Sequence, residues 1–261
     1  MEPRTHTYGR HTLLTEKRKA RLLELLAERP DATLAELGAG LDRSFGTSPI
    51  GLWLRQLGWT YKKTLFASEQ NRADVAEKRA HWHEQLAQEP ATALVFVDES
   101  GATTKLTRLR ARSPEGQRVV GRIPHGHYQT TTLVAGTGLR GPCAPWLFEG
   151  AMDGERFLAW VIQGLVPVLQ KGDMVIMDNL ATHKVQGVRE AIEAAGARLL
   201  YLPPYSPDYN PIENMWSKIR QILRSQTPRI AAELIAAAKI AFQAISLSDC
   251  HGFFSNANYA T

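Results

Sequence analysis

The sequence has few cysteines and no long apolar run, and each scarcity excludes a class of protein. Cys143 and Cys250 are its two cysteines, so neither a disulfide framework nor a cysteine-based zinc cluster is expected. The longest apolar runs, such as residues 93–97, have the length of a strand rather than of a membrane span. Residues 1–10 are polar and lack the apolar core of a signal peptide. We therefore expect a cytoplasmic protein that has no membrane partner.

The basic excess is modest overall, with a net charge of +5, but it is concentrated in one stretch. Six basic residues face the single acid Glu115 in that stretch: Lys105, Arg108, Arg110, Arg112, Arg118 and Arg122. Such a cluster favours binding to a polyanion through the release of counterions. The charges alone leave open a second interpretation, a solvated hairpin rich in arginine.

The first ninety residues are predicted to be helical. Thr15 caps one helix, and Thr33 with Glu36 has the spacing of a capping box that begins a second. Ser48-Pro49 reads as the start of a third helix, which stops at Gly58.

Three short helices with tight turns are typical of a helix-turn-helix module, here over residues 1–68. Residues 59–65 are predicted to form a β wing beside it. The candidate DNA contacts of this module are Arg55, Lys62 and Lys63. An ordinary small helical bundle is the alternative. An amphipathic helix over residues 69–90 is predicted to link the module to the rest of the chain.

From residue 91 to 261 the pattern is that of an α/β domain with a mixed sheet. Apolar runs predict core strands at 93–98, 173–178 and 198–202, and β-branched residues predict further strands within 117–135. Periodicity predicts helices at 155–169, 183–195, 211–223 and 230–245.

Two of the predicted strands end in an acid, Asp98 and Asp178. The carboxyl ends of strands in α/β sheets open into the ligand crevice, so an acid at that point faces a site while its strand stays buried. The alternative is that each aspartate only begins a turn by binding nearby backbone amides.

A third acid, Glu213, follows a stiff loop. If Asn210 caps the next helix, Glu213 is its third residue and only returns a capping-box bond. The loop at 203–211, however, holds four prolines in nine residues, which is stiffer than a cap requires. This stiffness favours accurate placement of Glu213 beside other groups.

Asp98, Asp178 and Glu213 are therefore predicted as both the catalytic residues and the metal ligands. An oxygen-only set of carboxylates selects Mg²⁺ or Mn²⁺ over zinc. Two such ions about 3.5–4 Å apart assist the displacement of a phosphodiester, because they offset the charge of the DNA.

Three segments resemble the acidic motifs of a known family. They are FVDES at 96–100, MDNLATHK at 177–184 and PPYSPDYNPIENMW at 203–216, with 34 residues between Asp178 and Glu213. The segments resemble those of bacterial insertion-sequence transposases of the six-thirty group, which is related to the mariner superfamily and uses a DDE set of acids.

The resemblance implies a fold and a function. The fold is a ribonuclease-H-like mixed sheet flanked by helices, preceded by a small all-α, winged-helix-like helix-turn-helix domain. The function is cleavage at transposon ends and strand transfer into target DNA at TA sites. Double-stranded DNA, a homodimer that pairs two ends, and the bacterial nucleoid are the implied partners and location. Relatives carry another helix-turn-helix unit upstream, which we expect to be missing here through truncation or a frameshift.

Two other functions stay open. One is a DNA-binding remnant whose catalysis has been lost, and the other is a ribonuclease-H or junction-resolving nuclease, which the helix-turn-helix segment disfavours. The further DNA contacts predicted in the second domain are Arg108, Arg110, Arg112, His183 and Lys184. Glu99 follows Asp98 on a strand, so its side chain is expected to point away from the site.

Overall fold

The computed structural model describes residues 13–60, 68–123 and 130–259. The chain divides into two compact units, Met1–Phe66 and Ala67–Thr261. Lys62 and Lys63, and most of the predicted wing, lie outside the described residues, so these remain predictions.

The first unit contains helices α1 Glu16–Glu28, α2 Leu34–Ala39 and α3 Thr47–Gln56. The predicted caps of α1 and α2 are confirmed, since the Thr15 hydroxyl accepts from a backbone N–H and Thr33 forms a reciprocal capping box with Glu36. Helix α3 begins earlier than predicted, after Gly46, which offers no side-chain cap. The three helices bury one shared apolar core: Leu22, Leu25, Leu26, Leu37, Leu41, Ile50 and Trp53.

The second unit is an α/β domain built on one mixed sheet. Its described strands are β1 Leu94–Thr103, β2 Thr130–Gly138, β3 Gly141–Glu149, β4 Met174–Met177 and β5 Arg198–Tyr201. Its described α-helices are α4 Ala73–Leu86, α5 Gly154–Trp160, α6 Val188–Ala194, α7 Ile212–Gln226, α8 Ala231–Gln243 and α9 Leu247–Asn256. The strand order is β3-β2-β1-β4-β5. Strands β1, β4 and β5 are parallel, and β2 is antiparallel to β1 and β3.

Helices cover both faces of this sheet. Successive side chains of a strand alternate between faces, so Leu94 and Phe96 enter a core with α4, α7, α8 and α9. Val95 and Val97 enter the opposite core with α5 and α6. Burial of each such side chain stabilises the fold by about 1.5–3 kcal/mol relative to exposure. The result is a three-layer sandwich with β1 at its centre.

The predicted linker helix is part of this second unit. Trp82 and Leu86 of α4 lie in the same core as Phe96. No single helix in the described part of the chain is long and apolar enough to cross a membrane, although the bent pair α8 and α9 would meet that test together.

The strands of the structure differ from the predicted ones in two places. Residues 117–123 form no strand and are exposed, with Val120 at 74%; β-branched residues favour a strand only where a neighbouring strand pairs with them. Strand β3 was not predicted, because Pro142 and Pro145 interrupt its sequence. Proline is tolerated at a sheet edge, and β3 is an edge strand.

Candidate active site

The first two acids stand at equivalent places on neighbouring parallel strands. The register pairs Phe96 of β1 with Ile176 of β4, and Asp98 and Asp178 each follow two residues later. Alternation along β1 places Asp98 on the same face as Phe96, which is the face covered by α7. The strand-end prediction therefore agrees with the sheet geometry.

The third acid lies in the first turn of α7. The helix begins at Ile212 after Pro211 and has no side-chain cap. The Glu213 backbone N–H donates to the Asn210 carbonyl at 3.2 Å, while its carboxylate lies 4.0 Å from the Arg220 guanidinium. The capping-box alternative for Glu213 is thus not what the structure shows.

A helix from outside the loop holds the proline-rich segment before α7 in place. The Arg79 guanidinium on α4 donates two hydrogen bonds to the Asp208 carboxylate, at 2.7 and 3.0 Å, and one to the Ser206 hydroxyl at 2.7 Å. It also stacks on the Tyr209 ring, 4.1 Å from the centroid. This pairing is bidentate, which fixes direction as well as distance.

All three acids line one cleft at the carboxyl ends of β1 and β4, with a volume of about 580 Å³. The other residues that line it are Asn179, Leu180, Leu202, Pro203, Pro204, Tyr205, Ser206, Pro207 and Asn210. The sequence singles out the three acids separately, and the fold brings them together.

The cleft is electrostatically unfavourable for its own carboxylates. Burial and, to a smaller extent, the charges of Glu213, Glu99 and Asp178 together raise the pKa of Asp98 to about 7, against one backbone hydrogen bond that lowers it. A bound cation would relieve this repulsion.

The three acids fit a hard divalent cation by their chemistry, since every side-chain donor is a carboxylate oxygen. Among the described residues, however, no three acidic, histidine or cysteine side chains lie close enough together to coordinate one metal ion. The metal-ligand assignment therefore stays a prediction.

A buried histidine adjoins the second acid. The His183 Nε2 lies 3.0 Å from both Glu99 carboxylate oxygens, and its Nδ1 lies 2.7 Å from Asp178 Oδ1. Burial lowers the pKa of His183, but contacts with Asp178 and Glu99 outweigh it and raise the pKa to about 9. Burial likewise raises the pKa of Asp178, but the contact with His183 and the hydrogen bond from the Leu180 backbone N–H outweigh it and leave that pKa lowered.

The prediction that His183 contacts DNA is therefore wrong, because its side chain is 0% exposed. The predicted helix from residue 183 is also wrong at its start. Gly187 has a left-handed φ of 96°, so residues 181–184 form a separate 3-10 turn and α6 begins only at Val188.

The remaining predicted DNA contacts within the described residues are exposed: Arg55, Arg108, Arg110, Arg112 and Lys184. Lys184 donates to the Asn179 side chain at 2.8 Å. Arg108 and Arg110 line a second groove of about 630 Å³. Its other lining residues are Leu109 and, from α7, Lys218, Gln221, Ile222, Arg224 and Ser225.

A mixed sheet with acids at the ends of two adjacent parallel strands, and a third acid on a flanking helix, defines a ribonuclease-H-like fold. Residues 93–235 match the model of the DDE superfamily endonucleases. The chain belongs to this family.

Solved structures share the fold. The Mos1 transposase in a paired-end complex with the left transposon end has a TM-score of 0.64 at 18% identity, over 99% of this chain and 83% of that one. The Mos1 mariner paired-end complex with Mn has a TM-score of 0.65 at 18% identity, over 98% and 80%. The catalytic domain of Mos1 mariner transposase alone gives 0.54 at 14% identity, over 77% and 95%. A comparison with curated proteins found no match.

Proposed function

We propose that this protein is a DNA transposase of the six-thirty group of bacterial insertion sequences, active in cleaving transposon ends and in joining them to target DNA at TA sites. The observation that carries the proposal is the convergence of Asp98, Asp178 and Glu213 in one cleft. Membership in the DDE superfamily endonucleases supports phosphodiester chemistry, and the paired-end Mos1 structures share the fold.

We assign Asp98, Asp178 and Glu213 as the residues that hold two Mg²⁺ or Mn²⁺ ions. Mos1 paired-end complexes with Mn and with Mg support this choice of metal. When bound, the ions supply activation of the attacking oxygen and stabilisation of the leaving oxygen. The chain's own part is to place the three carboxylates on rigid elements, two strand ends and one helix start.

The reaction has two balanced steps. In the first, a water oxygen forms a bond to phosphorus, the P–O3′ bond at the transposon end breaks, and the 3′ oxygen leaves as a hydroxyl. In the second, that 3′-hydroxyl oxygen forms a bond to a target phosphorus and displaces the target's own 3′ oxygen. Each step exchanges one phosphodiester bond for another bond to oxygen, so neither step needs an oxidant or an energy source.

The second groove is proposed to hold the DNA backbone. Within the described ranges, no acid lies within ion-pair distance of Arg108, Arg110 or Arg224, whereas Lys218 is paired with Asp249 at 2.5 Å. Unpaired guanidinium groups favour phosphate. Because two ends must be brought together, we further propose a homodimer as the working form.

The experiment is a transposition assay on a plasmid that carries the DNA flanking the gene. Purified protein, Mg²⁺ or Mn²⁺ and a target plasmid are incubated, and the junctions are sequenced. The proposal expects breaks at inverted repeats and insertions bounded by a duplicated TA, both absent with Asp178→Asn. Binding of the flanking DNA without any cleavage above that variant would instead identify a silent DNA-binding remnant.

A further inference from the structure

The His183 side chain is enclosed by the fold. Its side chain is 0% exposed, and its ring packs on the Phe157 ring with centroids 4.4 Å apart. The Tyr201 hydroxyl donates to the His183 backbone carbonyl at 3.1 Å, which fixes the turn that carries it. A buried imidazole enclosed in this way has little freedom to rotate.

Both ring nitrogens of His183 face carboxylates. On one side, Nε2 lies 3.0 Å from each oxygen of Glu99, whose side chain is 12% exposed. On the other side, Nδ1 lies 2.7 Å from Asp178 Oδ1. The Nδ1 contact is short but is not aligned as a regular hydrogen bond, so it is an ion-pair contact rather than a linear bond.

This arrangement distinguishes the two oxygens of Asp178. Oδ1 is approached by His183 Nδ1 and accepts the Leu180 backbone N–H at 2.9 Å. Oδ2 has no such donor among the described residues. The carboxylate is therefore anchored through one oxygen, while the residue as a whole lines the cleft.

We propose that Glu99 and His183 are positioning residues, which together set the rotation of the Asp178 carboxylate so that Oδ2 is presented to a divalent cation. This inference rests on the proposed function, because it concerns the same site. Alternation along β1 explains the arrangement, since Asp98 enters the cleft directly while Glu99, on the other face, acts through His183. Residues that hydrogen-bond to a metal ligand commonly fix the orientation of that ligand.

The test measures Mn²⁺ binding by the full chain, using electron paramagnetic resonance to quantify the free ion. Thermal unfolding of each variant in EDTA is measured in parallel. Glu99→Ala is expected to weaken Mn²⁺ binding about 10–100-fold. Glu99→Gln is expected to recover most of that loss, because its amide oxygen still accepts from Nε2–H. Glu84→Ala is the matched control, since Glu84 pairs with His81 on the surface of α4 at 3.6 Å and away from the cleft.

The outcomes separate the inference from the proposed function. If Asp178→Asn abolishes Mn²⁺ binding but Glu99→Ala binds within twofold of the wild type, the positioning role is refuted and the metal site stands. If Glu99→Ala only lowers the unfolding temperature, the pair is merely structural and the inference again fails. A wild-type chain that binds no Mn²⁺ contradicts both.

A second measurement does not depend on the folding of any alanine variant. In the metal-free wild type, nuclear magnetic resonance should show a slowly exchanging imidazole N–H signal from His183, shifted in Asp178→Asn. Rapid exchange of both His183 ring protons with water would mean that the ring is not held, which overturns the proposal.

Discussion

Asp98 is placed where an isolated carboxylate is least stable. Its burial, together with the charges of three further carboxylates, Glu213, Glu99 and Asp178, raises its pKa to about 7. A folded protein retains such a group where the charge is used, and strongly shifted pKa values cluster at functional sites for this reason. The buried charge of Asp98 lowers the free energy of unfolding of the metal-free protein.

We therefore expect Asp98→Asn to be more stable than the wild type at pH 8 in EDTA, by on the order of 2 kcal/mol. The folded pKa is raised, so ionisation opposes folding. The penalty is absent below the unfolded pKa near 4, grows as pH rises to about 7, and is then constant. Thermal unfolding at pH 4 and pH 8 measures it. A variant equally or less stable at pH 8 would contradict the electrostatic account.

At this scale the sequence allowed the three acids to be chosen but not all their neighbours. Asp98 and Asp178 could be chosen because apolar runs end at them, and that signal is local. The burial of His183 was missed, because it depends on the left-handed turn at Gly187 and on packing against Phe157, which lies 26 residues earlier. Strand alternation predicts that Glu99 and Asp98 lie on opposite faces of the sheet, but it does not predict that Glu99 contacts His183.

At the scale of elements, the position of Glu213 depends on the loop before α7. The four prolines limit the conformations of this loop. Arg79 on α4 holds it through hydrogen bonds to Asp208 and Ser206. Helix α4 thus contributes to the site although it places no residue in the cleft. This explains why a helix predicted to be a linker packs into the second unit.

Arg79→Lys is expected to destabilise the protein by about 1–3 kcal/mol and to lower cleavage, because a lysine cannot reproduce the bidentate contact or the stacking on Tyr209. Chemical denaturation with a parallel cleavage assay measures both effects. The control is Arg72→Lys, whose pair with Asp74 is more than half exposed and should change stability by less than about 0.5 kcal/mol. Equal effects of the two changes would show that Arg79 has no special role.

The elements that sequence predicted best are those with a local signal. Capping residues marked the starts of α1 and α2, and apolar runs marked β4 and β5. The sequence of helix α9 gives a weak periodic signal because it is polar in parts, although Ser246 and Asp249 have the spacing of the capping box that begins this helix. The prediction of a strand at residues 117–123 rests on residue propensity alone. These residues pair with no neighbouring strand and form none.

At the scale of the second unit, the acidic cleft and the basic groove both lie along α7. Glu213 is in its first turn and Arg224 in its last, about 16 Å apart along the axis. One helix thus carries Glu213, the proposed metal ligand, at one end and the groove proposed to bind phosphate at the other. This arrangement suits a DNA strand that passes along the groove and reaches the cleft.

Neutralising Arg108, Arg110 and Arg112 together to alanine is expected to weaken DNA binding and to flatten its salt dependence, because fewer counterions are released. The slope of log affinity against log salt should fall by about 0.9 for each phosphate that the protein no longer neutralises, or about 2–3 in total. Fluorescence anisotropy at several salt concentrations measures it. The triple lysine variant keeps the charge and should keep the slope, whereas an unchanged slope in the alanine variant would remove this segment from the DNA path.

The central claim is that Asp98, Asp178 and Glu213 act as one metal-binding unit. The most direct measurement is Mn²⁺-dependent cleavage of a plasmid carrying the flanking DNA, compared among the wild type, Asp98→Asn, Asp178→Asn and Glu213→Gln at matched folding. We expect cleavage by the wild type and a loss of at least about a thousandfold in each variant, since each removes a ligand of the same ions. Wild-type rates in any one of the three variants would show that its acid takes no part in the chemistry.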